Sequence, residues 1–72
     1  MELTELQKML IAFMKNLGIS MEATVSAMSW MDTEKEQKIL FKWLMENQNW
    51  VNDHNLKQQI AKMTWEKRKK LN

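Results

Sequence analysis

Apolar residues recur along this chain at the three- and four-residue spacing of amphipathic helices, interrupted by short polar stretches of cap and turn residues. Leu6, Leu10, Phe13, Met14 and Leu17 share one helical face and predict a first helix over residues 5–17. Thr4 with Gln7 three positions on reads as a capping box, the hydroxyl accepting from a free backbone N–H and the amide reaching back. Gly18 supplies the left-handed residue that ends this helix, and Ile19 is placed to pack on Met14 in a Schellman turn. Ser20 caps a second helix over residues 21–30, with Glu22 in its first turn. Met21, Val25 and Met28 give its main stripe, flanked by Ala23, Ala27, Trp30 and Met31. An apolar circumference this wide is expected to make it the most buried helix.

Thr33 and Glu36 predict a second capping box ahead of a third helix over residues 34–47. Its core face is read as Ile39, Leu40, Trp43 and Leu44, with Phe41 and Met45 on a second face and Glu34, Lys35, Lys38 and Lys42 over the remainder. Glu34 and Lys38 form an i,i+4 pair in the favourable order. Residues 48–53 read as a linker in which Asn49 and Asn52 suit a turn and Trp50 and Val51 are tucked beneath it. Asn52 or Asp53 caps a fourth helix over residues 54–69, whose stripe is Leu56, Ile60 and Met63, with Ala61 and Trp65 on a neighbouring face. The expected fold is all-α: a compact four-helix arrangement with short loops, a single helical domain over residues 1–72. Helices this short suit an orthogonal bundle better than a long parallel one.

Composition sharpens this picture. A chain of 72 residues buries only about 60% of the surface that its unfolded form exposes, so its stability is expected to be marginal. There is no cysteine to supply a disulfide or a thiolate metal site, and apolar content of 44% with 8 Met and 4 Trp takes that place. One Gly and no Pro leave almost nothing with which to turn hairpins. The N-terminal residues carry no basic region of a secretory signal. The longest apolar run, residues 9–14, is far short of the roughly 20 residues that span a bilayer. The expected compartment is the cytoplasm. Net charge is +2, and Lys67, Arg68, Lys69 and Lys70 stand in a row at the end, leaving the rest slightly acidic.

Catalysis is not expected. The one histidine, His54, sits at a predicted helix start as an exposed first-turn residue. No zincin, nucleophile-elbow or phosphate-loop motif is present. Asp32, Glu34 and Glu36 read as helix-start acids rather than a metal site. No cofactor, metal or small-molecule substrate is implied.

Two classes of partner remain. The aromatic and Met content is large for so small a core, and Phe41, Met45, Trp50 and Trp65 lie off the main stripes. They are the candidate interface of a protein-interaction module, its partner another protein or a second copy of itself. The alternative is a helix–turn–helix-like nucleic-acid-binding regulator. With the second helix as reader, its outward residues would come from Glu22, Thr24, Ser26 and Ser29, none of them a strong base reader. With the third as reader, the helix offers Lys35, Gln37, Lys38 and Lys42, but Glu34 and Glu36 occupy the turn that should approach the bases. Lys62, Lys67, Arg68, Lys69 and Lys70 are the other candidate phosphate contacts. A basic fourth helix lying on a membrane has too thin an apolar face to be favoured.

The segments Leu17-Gly18-Ile19-Ser20, Asp32-Thr33-Glu34-Lys35-Glu36-Gln37 and Trp43-Leu44-Met45-Glu46-Asn47, in that order, resemble a group of short uncharacterised helical proteins of Gram-positive bacteria. The resemblance spans residues 17–47 and implies a bacterial helical fold. It brings no activity with it, and neither the linker around Trp50 nor the basic end belongs to the pattern.

Overall fold

The computed structural model describes residues 2–71, with side-chain surroundings for residues 2–69. Its elements are α1 (Glu5–Asn16), α2 (Met21–Trp30), α3 (Glu34–Glu46) and α4 (Asp53–Leu71). The fold is all-α, and among the described residues there is no strand. Its extents are 36 × 29 × 21 Å.

Local chemistry sets the helix ends. Thr4 caps α1 in a complete box: its hydroxyl accepts from the Gln7 N–H at 3.1 Å, and the Thr4 N–H donates to Gln7 Oε1 at 2.8 Å. Both Schellman bonds close the other end, from the Ile19 N–H to the Met14 carbonyl (3.0 Å) and from the Gly18 N–H to Lys15 (3.1 Å). Ser20 caps α2 through the Ala23 N–H at 3.1 Å. The Thr33 box is only half formed: its hydroxyl accepts from the Glu36 N–H and donates to Glu36 Oε1, whose carboxylate turns toward Lys67 rather than the Thr33 N–H. Asn52, not Asp53, caps α4, accepting from the Asn55 N–H at 2.9 Å.

Leu10, Met14, Met31, Leu40, Leu44 and Leu56 are the largest fully buried side chains. Each contributes on the order of 1.5–3 kcal/mol by leaving water. The stripes of α1 and α4 fall where periodicity places them. α2 follows its predicted stripe only at Met28, which packs half-buried on the core: Met21 (63% exposed) and Val25 (60%) face solvent, and the buried face is Thr24 with the predicted flank residues Ala23 and Ala27. The reason is packing. α2 lies against both α1 and α4, and small residues let two neighbours approach closely. Among the described residues α2 still has the largest share of buried positions of the four helices, three of its ten; what differs from the expectation is which face is buried. Ile39 likewise lies exposed; α3 buries the narrower line Gln37, Leu40 and Leu44 against α1. The buried Gln37 amide donates to the Met31 carbonyl at 3.0 Å, closing the otherwise open end of α2.

Packing runs in the order α3, α1, α2, α4, each element resting on the next. Two polar ties join α4 to what precedes it. Asp53 Oδ1 accepts from the Ser20 N–H at 2.9 Å. Lys67 Nζ reaches Asp32 (3.4 Å) and Glu36 (3.3 Å). The first brings the starts of α2 and α4 together and the second brings their ends together. The two helices therefore run side by side in the same direction.

Candidate functional site

Side-by-side helices with small residues between them leave a furrow. On α2 it is lined by Ala23, Ser26, Ala27 and Trp30, and on α4 by a longer row that includes Leu56, Ile60, Ala61 and Trp65. The volume is about 330 Å³, room for the tips of a few side chains. The floor is apolar because Ala23, Ala27, Leu56 and Ile60 are core residues seen from outside. Trp30 (45% exposed) and Trp65 (67%) form the walls. Among the described residues, Lys57 and Arg68 are the only charged ones lining it. A smaller recess of about 150 Å³ continues past Trp30 and Arg68 to Asp32 and Lys67.

Both ties that frame the furrow are electrostatic. Asp53 is held below the usual carboxylate range, first by the Ser20 backbone N–H, then by the Ser20 hydroxyl, with Lys57 adding. Its carboxylate sits in the first turn of α4 and beside the cap of α2, where two positive helix ends meet. Lys67 is raised above its ordinary value, chiefly by its hydrogen bond to Glu36.

The four candidate interface residues do not converge. Phe41 is half-buried and meets Phe13 of α1 edge to face, with ring centroids 5.3 Å apart, so it belongs to the core rather than to an interface. Met45 is exposed on α3. Trp50 is exposed, not tucked under its loop; its indole N–H donates to Asn47 Oδ1 at 2.8 Å, and its ring meets Trp43 edge to face. Val51 is the linker residue that is buried. Trp65 alone lies in the furrow, and its counterpart there is Trp30, which periodicity assigns to the core flank. No local signal marks the pairing of Trp30 with Trp65. The small residues Ala23, Ser26 and Ala27, at i, i+3 and i+4, are the nearest thing to one.

The candidate phosphate contacts divide as well. Lys35, Lys38 and Lys42 are exposed on α3, and Lys38 pairs with Glu34 at 3.1 Å. Lys62, Arg68 and Lys69 are exposed on α4. Lys67 is engaged by Asp32 and Glu36, and the side chain of Lys70 lies outside the described residues.

His54 is exposed. Among the described residues no group of three or more His, Cys, Asp or Glu could hold a metal ion. Every buried side-chain nitrogen or oxygen among them has a hydrogen-bond partner, so no orphaned polar group points at a ligand. No described helix is long and apolar enough to cross a membrane. The chain matches no protein-family model, and no curated protein or solved structure is significantly similar to it.

Proposed function

We propose that this chain is a non-catalytic protein-interaction module that receives an apolar segment of its partner, another protein or a second copy, in the furrow between α2 and α4. The observation that carries this is the exposure of Trp30 and Trp65 on either side of an apolar floor. Tryptophan is enriched among the residues that dominate binding energy, and each buries roughly 150–250 Å² when covered. Selection of short random peptides against the protein tests it. The expected result is a set of binders lost on Ala61→Glu, which sets a carboxylate in the furrow at a position already exposed. Binders indifferent to that substitution would overturn the reading.

A second reading, nucleic-acid binding with α3 as the reading helix, is favoured by the exposed run Lys35, Lys38 and Lys42. Tryptophan fluorescence during titration with mixed-sequence duplex DNA separates the two. Phosphate contact gives binding at low salt that weakens steeply as salt rises. No signal at low salt, where electrostatic binding is strongest, ends this reading.

A further inference from the structure

We propose that the occupant of the furrow is an acidic amphipathic helix of a protein partner, an apolar edge flanked by a carboxylate near each end. The inference rests on the furrow being the binding surface and adds the chemistry of what fills it.

Charge gives the first argument. Among the described residues Lys57 and Arg68 line the furrow and no carboxylate does; Asp32 lines only the adjoining recess, where Lys67 holds it, and neither Lys57 nor Arg68 forms an ion pair. They stand eleven positions apart on α4, about 16 Å along its axis. Ala61, Thr64 and Trp65 line the stretch between them. An occupant that covers the apolar stretch therefore meets a cation at each end, and carboxylates there make charge-assisted hydrogen bonds. Lysines in the same places would be repelled.

Shape gives the second. About 330 Å³ holds a few side chains and not a backbone, so only an edge of the partner enters. The furrow runs lengthwise between two helices and matches the ridge of i, i+4 and i+7 side chains that a third helix presents. Binding by strand addition needs a sheet edge, and the described residues contain no strand.

A second copy of this chain fits poorly. Glu5, Glu34, Asp32 and Glu36 are held in intramolecular ion pairs, and Asp53 is bound to Ser20. On α3, Lys35, Lys38 and Lys42 stand between Glu34 and Glu46, and α1 carries Lys8 and Lys15. Both would bring cations to a cationic furrow, and α2, which carries no Lys or Arg, offers Glu22 alone and so a carboxylate at one end only.

The test is a displayed library of helical peptides of about 16 residues, leucine at i, i+4 and i+7 and all other positions random, selected in parallel against the protein and against Lys57→Glu/Arg68→Glu. Both substituted positions are exposed, and unchanged helical circular dichroism checks the fold. The expected result is enrichment of Asp and Glu at the peptide ends with the natural protein and of Lys and Arg with the variant. A representative peptide with its acids exchanged for Lys should bind the natural protein at least tenfold more weakly, with the order reversed for the variant. Binders lost on Ala61→Glu but free of charge preference would overturn the acidic-helix inference and leave the interaction module standing. Concentration-dependent dimerisation abolished by Ala61→Glu would make the occupant a second copy. Displacement of the peptides by single-stranded oligonucleotide would make it a nucleic acid. Absence of any binder sensitive to Ala61→Glu would overturn both readings together.

Discussion

Gly18 holds φ at +84°, the single left-handed backbone among the described residues. A β-carbon added there would meet nothing within 4 Å, so the cost of Gly18→Ala is backbone strain alone, about 1–2 kcal/mol. A synthetic chain carrying D-alanine should keep the native urea midpoint while the L-alanine chain loses stability. Equal loss in both would mean that space, not handedness, fixes this residue. Asp53 makes a pH-dependent prediction. Its folded-state pKa is depressed, so its contribution is fully present above the ordinary value of 3.8 and is lost as pH falls through the lower folded value. The urea midpoints of the natural chain and Asp53→Asn should differ at neutral pH and converge as the solution is acidified below that value. A gap independent of pH would show that the Asp53 charge does not act. The boundary at Gly18 is legible in the sequence because Schellman bonds join residues five positions apart or closer. The bond from Ser20 to Asp53 spans 33 positions, and no local pattern announces it.

At the scale of an element, α2 shows where periodicity misleads. Its apolar residues surround much of the helix, so a stripe weighted by size selects Met21, Val25 and Met28. The packed face instead holds the small residues Ala23, Thr24 and Ala27, because α1 and α4 both lie against it. Val25→Lys and Met21→Gln should therefore change stability by no more than about 0.5 kcal/mol each. Ala23→Leu should cost about 1–3 kcal/mol by overpacking. Urea denaturation of the three variants decides between the two faces, since the stripe of larger residues predicts the opposite order. Ala23 and Ala27 also line one side of the furrow. This is why the candidate site was only partly legible. Trp65 and Arg68 stand out as residues, whereas a concavity depends on which helices lie side by side and on what is missing between them.

Across the whole molecule, α4 is an outer member of the packing order: it packs against α2, and among the described residues its tie to another helix is the ion pair from Lys67 to Glu36 of α3. Its first half is held by Leu56 and Ile60 in the core and by the Asp53 tie. Beyond Met63, which is half-buried, the described residues offer no further buried apolar anchor, and Lys67 crosses to Asp32 and Glu36 from there. The far wall of the furrow thus depends on an ion pair at a surface, where salt competes and side-chain entropy opposes the contact. Lys67→Gln should raise amide exchange in α4 from about Thr64 onward while leaving α1 and α3 as protected as before, because local opening follows the elements with the fewest buried contacts. High salt should reproduce the pattern in the natural chain. Peptides that depend on Trp65 should bind the variant more weakly, since the wall they rest on is released. Exchange that rises uniformly over all four helices would instead mean that the tie supports global stability, and that the furrow opens only when the protein unfolds.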